Sequence, residues 1–414
     1  MSLVVSIATA HLTHRKRQTL VSVVGVAMGV GFFIAMAALM QGMQTYFITK
    51  VIDSWPHIII KDEFREAPRQ PAELAYPNGA VAVSSVKPQD ELRGVKNARA
   101  ILAALAETPG MTAAPTLRTQ VFLRYGSKDM SATLVGIDPV KERLVTQLEQ
   151  DIKEGSLPAL NTVPNGIIIG EGVAKKLGIS LGNTITATSV SGAVLKMKVA
   201  GIFSTGVTAL DNFETYALLK KAQVLADRPN IINQVRVRLV DVTEAREKAA
   251  ELEARWGYKA ESWQESYSNV LGLFVIQNAI MYTSVGAILV VAAFGIFNII
   301  STVVHEKSRD IAILKSVGLL ERDIRRIFLL EGLVLGVIGA LLGWVIGFGL
   351  VELLGTVRMN VEGFVKTQGF ILYRGYGSYL MAGGFALIAA TFAAYLPARK
   401  AAKVAPVDII RGAA

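Results

Sequence analysis

Four apolar runs, unevenly spaced, constrain this chain more than any other feature. Thr19–Met43 contains no charged residue. A long polar segment follows, and three more apolar runs come at Val270–Val304, Ile327–Leu354 and Tyr379–Leu396. The hydrocarbon core of a bilayer is about 30 Å thick and is crossed by about 20 apolar residues of α-helix, a length that each run reaches or approaches. The expected fold class is therefore membrane α-helical, with four transmembrane helices and a large α+β extracytoplasmic (periplasmic) domain inserted between helices 1 and 2.

The placement of charge gives the orientation. The chain is 52% hydrophobic with a net charge of +10, and its mean hydropathy is +0.42. A basic chain can be a nucleic-acid binder, but here the cations sit beside the apolar runs. Arg15, Lys16 and Arg17 precede the first, and Lys307, Arg309, Lys315, Arg322, Arg325 and Arg326 lie between the second and third. Arg399, Lys400, Lys403 and Arg411 follow the fourth. Basic residues in short connections mark the cytoplasmic face. An even number of spans returns the C-terminus to the side of the N-terminus, and all three clusters agree with that. Membrane lipid, and no nucleic acid, is the expected surrounding.

The expected layout is a cytoplasmic N-terminal amphipathic segment at 1–18, helix 1 at 19–43 and a periplasmic core domain at 44–265. A stalk and helix 2 follow at 266–304, then a cytoplasmic loop at 305–326, helix 3 at 327–354 and a short periplasmic loop at 355–377. Helix 4 at 378–396 and a cytoplasmic tail at 397–414 complete it. Ala35-Met36-Ala37 has the small-x-small form of a signal cleavage site. The apolar run continues through Met40 and is longer than a signal core, so an uncleaved anchor is expected. The chain has no cysteine and hence no disulfide.

Within the polar segment, the alternating runs Thr119–Tyr125, Ser131–Ile137, Thr184–Val190, Lys196–Ser204 and Gln234–Val240 predict strands, with a hairpin turn at Ser191-Gly192. Ala98–Glu107, Glu171–Leu177 and Thr243–Arg255 have helical spacing. Asp62–Gln89, rich in Pro and charge, reads as an irregular excursion. Two subdomains sharing the strands are expected. Gly178-Ile179-Ser180-Leu181-Gly182 fits the G-x-S-x-G pattern of serine hydrolases, but that chemistry needs a strand before the serine and a helix after it. Here the predicted helix precedes and the predicted strand follows, so Gly178 reads as a helix C-cap. The four histidines, at 11, 14, 57 and 305, lack metal-ligand spacing. No G-x-x-x-x-G-K-[ST] loop occurs, so no cofactor is expected in this chain, and ATP, if used, belongs to a partner.

Between Glu265 and Glu306 no residue is charged except, when protonated, His305. One continuous helix over that stretch would reach about 60 Å, twice the hydrocarbon thickness. Such a stalk predicts a rigid lever; a break near Asn269–Leu271 is the alternative. Gly332, Gly336, Gly339, Gly343 and Gly347 recur at three- or four-residue steps in the third run, and Gly25 and Gly29 form G-x-x-x-G in the first. These are faces for close helix packing in lipid. Packing within the chain is expected for the third run, and the first is a candidate dimer face. Glu331, one turn into the third run near Arg325 and Arg326, is expected to reach the interface.

The connection His305–Gly332 carries Ile311, Leu314 and Val317 at three-residue steps. A helix from about Arg309, stopped by Gly318, would present them as one apolar stripe flanked by Arg309, Asp310 and Lys315. Such a helix suits docking into a groove on another protein or lying on the lipid surface.

The run E-K-S-R-D-I-A-I-L-K-S-V-G at Glu306–Gly318, F-L-L-E-G at Phe328–Gly332 and L-P-A-R-K-A-A-K-V-A-P-V-D-I-I-R-G at Leu396–Gly412 resembles the MacB/LolC/LolE/FtsX class of ABC transporter permeases. So do I-I-I-G-E-G-V-A-K-K-L-G at Ile167–Gly178 and V-A-G-I-F-S-T-G-V-T-A-L-D at Val199–Asp211 in the polar segment. The resemblance covers nearly the whole chain. It implies a second permease chain, identical or paralogous, and cytoplasmic ABC ATPase subunits that bind ATP and magnesium. It also implies that Arg309–Gly318 is the coupling helix, and that ATP-driven closure becomes motion of the periplasmic domains. With no fused ATPase expected, the layout is most similar to the lipoprotein-releasing type in a bacterial inner membrane. Export of an amphiphile, lipid or peptide with a periplasmic carrier or adaptor, and FtsX-like signalling to a cell-wall hydrolase, are the other functions that the resemblance implies.

Overall fold

The computed structural model describes residues 16–63, 74–77, 79, 94–358, 360–362 and 366–405. Residues 1–15 of the expected N-terminal segment, most of Asp62–Gln89 and the tail beyond 405, including Arg411, lie outside the described residues. The chain divides into a helical unit and a sheet unit, the latter being essentially Phe47–Leu271.

Four helices of the helical unit are long and apolar enough to cross a membrane. They are α1 (Lys16–Ser54), α6 (Ser268–Glu306), α8 (Glu321–Thr356) and α9 (Gly377–Ala402). The short α7 (Ser308–Ser316) joins α6 to α8. Helix α6 is one unbroken helix of 39 residues, so the stalk has no break at Asn269–Leu271. Its first residues belong to the sheet unit and the rest to the helical unit. One apolar cluster runs through all four long helices and includes Val26, Val30 and Ile34 of α1, Ile296 and Ile300 of α6, Phe328 and Leu335 of α8, and Ala386, Ala390 and Ala394 of α9. Glu331 is buried among the helices of this unit at 1% exposure. Its neighbours at one-turn spacing, Phe328 and Leu335, are buried too, which puts it on the inward stripe of α8.

In the sheet unit, ten strands form one mixed sheet. They are β1 (Ile58–Lys61), β2 (Met111–Tyr125), β3 (Lys128–Ile137), β4 (Ile152–Gly155), β5 (Gly166–Gly170), β6 (Thr184–Ser189), β7 (Val194–Phe203), β8 (Glu214–Leu218), β9 (Gln234–Leu239) and β10 (Lys259–Ser262). The path is β10-β1-β9-β2-β3-β8-β5-β7-β4, with β6 bridging β2 and β7. Strand β2 is long enough to serve two regions. Met111–Thr116 pairs with β9, and Leu117–Tyr125 pairs with β3. Helices α2 (Ala98–Glu107) and α5 (Ala245–Trp256) pack with β1 and β9 around Ile101, Leu105, Val235, Val237 and Leu252. Helix α3 (Pro139–Val145) packs on β2 and β9, and helix α4 (Glu171–Leu177) lies against the other strands around Ile167, Ile169, Val173 and Leu177. The β6–β7 hairpin turns at Gly192, whose φ is +86°, as Ser191-Gly192 predicts.

At Gly178 the backbone takes the left-handed conformation, and its N–H donates to the Ala174 carbonyl. The order is thus helix, turn, strand, the reverse of a nucleophile elbow. His57 lies just past α1. The Leu239 N–H donates to its Nδ1 at 3.1 Å, so Nε2 carries the proton and donates to the Ile52 carbonyl at 3.2 Å. A neutral imidazole therefore fastens the end of α1 to β9. Burial first, and then Arg238, hold its pKa below the usual 6.5.

Candidate functional site

The connection between α6 and α8 is built by local chemistry. Lys307 Nζ pairs with Asp310 at 2.8 Å in the first turn of α7. The helix ends in a Schellman motif: Leu319 N–H donates to the Leu314 carbonyl and Gly318 N–H to the Lys315 carbonyl. Gly318 has φ +112°, a conformation glycine takes without the Cβ penalty. Lys315 turns inward at 14% side-chain exposure, with Glu321 at 3.7 Å. Its ammonium donates to the carbonyls of Ala402 and Val404, each at 2.8 Å. These lie at the C-terminal end of α9, where unpaired carbonyls concentrate negative charge.

The apolar stripe expected to face a partner is largely turned the other way. Ile311 is buried with Ala312, and Leu314 packs against the bundle cluster. Of the three stripe residues only Val317 is exposed, at 79%. Three-residue spacing marks a stripe but not what it faces, and the bundle itself supplies the cover. The outward apolar set is Ile313, Val317 and Leu320, with Ile313 and Leu320 each 51% exposed. Arg309, Asp310, Gly318, Arg322, Arg325 and Arg326 are exposed around it. Ile313, Val317 and Leu320 recur at four- and three-residue steps, a signal as regular as the one first read.

The glycines of α8 serve two neighbours. A Cβ added at Gly336 would sit 2.8 Å from the Cβ of Ala390, and one at Gly332 would collide with Ala394. Farther along, a Cβ at Gly339, Gly343 or Gly347 would sit 2.7, 2.5 or 2.8 Å from the Cβ of Val26, Val30 or Ile34. The stripe thus faces α9 with its first two glycines and α1 with its last three. In α1, Gly29 faces Ile288 and Leu289 of α6, whereas a Cβ at Gly25 meets nothing within 4 Å.

A second constellation, absent from the expected sites, lies in the sheet unit where the two long helices enter it. Trp55 follows the last residue of α1, and Tyr267 precedes the first of α6. Their rings meet edge-on at 6.1 Å, and Tyr267 also meets Phe47 at 5.8 Å. The guanidinium carbons of Arg118 and Arg236 stand 5.9 and 5.8 Å from the Trp55 ring centroid, within cation–π reach. Each arginine is held by an acid. Arg236 Nη1 donates to Glu142 Oε1 at 2.7 Å, and Arg118 Nη2 pairs with Glu214 Oε1 at 2.9 Å. Tyr216 donates its hydroxyl to the other Glu214 oxygen at 2.9 Å. Burial, and then the charge of Glu214, push the Tyr216 pKa well above its ordinary value. For Arg236, burial is the largest single effect and opposes the charge, but Glu142, Tyr216 and Glu214 together outweigh it and raise the pKa. The group stays ionised.

Four membrane-length helices with a mixed-sheet unit drawn from the chain between the first and second are the build of a multi-pass membrane protein. Residues 19–255 match the family described as MacB-like periplasmic core domain, and residues 282–406 match the FtsX-like permease C-terminal family. The chain belongs to this MacB- and FtsX-like family of ABC transporter permeases. It is 28% identical to the lipoprotein-releasing system transmembrane protein LolC of Neisseria meningitidis, over 95% of this chain and 94% of that one. It is 25% identical to the uncharacterized ABC transporter permease YknZ of Bacillus subtilis, over 98% of each. It is also 33% identical to the macrolide export ATP-binding/permease protein MacB of Bdellovibrio bacteriovorus, over 41% of this chain and 26% of that one.

Proposed function

We propose that the chain is the permease subunit of a lipoprotein-releasing ABC transporter, in which a separate cytoplasmic ATPase subunit hydrolyses ATP and the sheet unit moves cargo outside the membrane. The observation that carries this reading is the outward set Ile313, Val317 and Leu320 beside α7, following directly on the unbroken helix α6. The exposed apolar set and its arginines suit a groove lined with apolar and acidic side chains on the ATPase. Arg309, Asp310 and Gly318 border that contact. Ile311, Leu314 and Lys315 support it from behind, because they pack on the bundle and on the end of α9. Pressure on α7 then passes into α6, whose first residues lie in the sheet unit. LolC relatives that match nearly the whole chain support lipoprotein as cargo.

The protein so read sits in a bacterial inner membrane with both termini in the cytoplasm. It pairs with a second permease chain and leaves ATP and magnesium to the ATPase. Val317→Asp and Ile313→Asp place a charge in the groove without touching the bundle. Each is expected to reduce ATPase co-purification at least about tenfold, the scale of one unpaired buried charge. Membrane insertion should be unchanged. Ile311→Asp instead should destabilise the bundle itself. Normal co-purification of both exposed-face variants would sink the assignment.

A further inference from the structure

A groove of about 790 Å³ opens along the surface of the helical unit between α8 and the start of α9. Its floor is Leu341, Trp344, Val345, Phe348 and Val351, with Leu380 on the α9 side. Trp344 is fixed there because its indole N–H donates to the Tyr379 carbonyl at 2.9 Å. Among the described residues that line it, the charged ones, Glu352 and Arg374, lie together at one end. Arg374 Nη2 pairs with Glu352 Oε2 at 3.1 Å, and the two side chains are still 64% and 45% exposed.

The dimensions identify a ligand class. From Leu341 to Glu352 the helix rises about 16 Å at 1.5 Å per residue, close to half of a hydrocarbon core of about 30 Å. The groove is therefore as long as one leaflet is deep, apolar throughout and ionic at its interfacial end. Tyr376 and Tyr379 lie beside the ion pair, at the level where amphipathic rings collect. A cation and an anion side by side complement a zwitterion. The guanidinium offers a planar fork to a phosphate, and the carboxylate can accept a hydrogen bond from a primary ammonium but not from a quaternary one. An anionic headgroup without an ammonium would face Glu352 unfavourably.

We propose that this groove is a binding site for one phosphatidylethanolamine molecule, its acyl chain along Leu341–Phe348, its phosphate on Arg374 and its ammonium on Glu352. The site is independent of the ATPase contact and of the cargo, and so stands or falls apart from the proposed function.

Trp344 reports on the site directly, since Trp55, Trp256 and Trp263 lie in the sheet unit. The full chain is reconstituted with phosphatidylethanolamine, phosphatidylcholine or phosphatidylglycerol carrying brominated acyl chains. The fluorescence of a Trp344→Phe variant is subtracted, so that the remaining quenching measures occupancy of the groove. Brominated phosphatidylethanolamine should compete at least about tenfold better than either other lipid, the ratio that one hydrogen bond to a charged group supplies. Glu352→Gln should abolish the preference over phosphatidylcholine, and Glu352→Lys should turn the preference toward phosphatidylglycerol. Equal quenching by the three lipids in the wild-type chain would mean bulk lipid contact only and would overturn the proposal. Preference for phosphatidylglycerol, or a preference for ethanolamine that survives both substitutions, would overturn it as well.

Discussion

In the helical unit, Gly343 faces Val30 with no room for a methyl group. In the sheet unit, a fully buried arginine rests between an acid and two aromatic rings. The contrast follows from the two solvents. Lipid tails are as apolar as leucine, so helices in a bilayer gain little from hiding apolar surface and associate by close approach, dispersion and weak hydrogen bonds. In a water-exposed unit, apolar burial supplies the main drive at roughly 25 cal/mol per Å². Such a unit can tolerate desolvated ion pairs whose net contribution is near zero. Those pairs then fix geometry: Glu142 and Glu214 set where the two guanidiniums stand under Trp55.

The largest effect that would break this comparison is at Arg236. Arg236→Met removes one partner and leaves Glu142 buried without its cation, which should cost about 3–5 kcal/mol. The full chain in detergent should show this as a lowered unfolding midpoint. Adding Glu142→Met should recover most of the loss, because an apolar pair of similar volume replaces a desolvated one. If the double variant were no better than the single one, the charges would be stabilising in themselves and the contrast would fail.

A smaller effect separates two glycines of the helical unit. Gly343→Ala puts a Cβ 2.5 Å from the Cβ of Val30 and 3.0 Å from the Ala27 carbonyl oxygen, an overpacking that should cost about 1–3 kcal/mol. Gly25→Ala meets open space and should stay within about 0.5 kcal/mol in the isolated chain. Thermal unfolding of both variants in the same micelle makes the comparison. A Gly25→Ala chain that is intact alone but fails to pair with a second copy would assign that glycine to a dimer face.

The smallest effect concerns pH and the sheet unit. His57 is neutral when folded, and its pKa lies below the unfolded value of 6.5. Between those two values the unfolded chain binds the extra proton, so stability rises with pH there. The contribution is full above about pH 6.5 and is lost as the pH falls from there toward the folded pKa. Melting midpoints at pH 8 and pH 5.5 should therefore differ less in His57→Gln than in the wild-type chain. An unchanged difference would show that other groups carry the pH dependence.

Much of the helical unit was legible because membrane spans announce themselves by length, and a glycine every three or four residues announces close packing. Helices Ala98–Glu107 and Glu171–Leu177 were equally plain, with apolar periodicity in both and a C-cap glycine after Leu177. What was hidden depended on which neighbour covers a face. Val235 and Val237 alternate with Arg236 and Arg238 in β9, and such alternation reads as a strand with one wet side. Glu142, Trp55 and Tyr216 close over Arg236 instead, and they come from three remote stretches. The stripe Ile311, Leu314 and Val317 misled for the same reason, since its cover is the chain's own bundle. Among the described residues, the short strands Ile58–Lys61 and Lys259–Ser262 pair with each other and Ile58–Lys61 with β9, and runs of four residues carry too little pattern to stand out.

The two carbonyls that grip Lys315 belong to residues close to the chain end. Shortening the protein to before Ala402 would strip that ammonium of both acceptors and loosen the surface on which the motor is proposed to press. Truncated versions would then lose activity through the front of the machine while the deleted part was at its back.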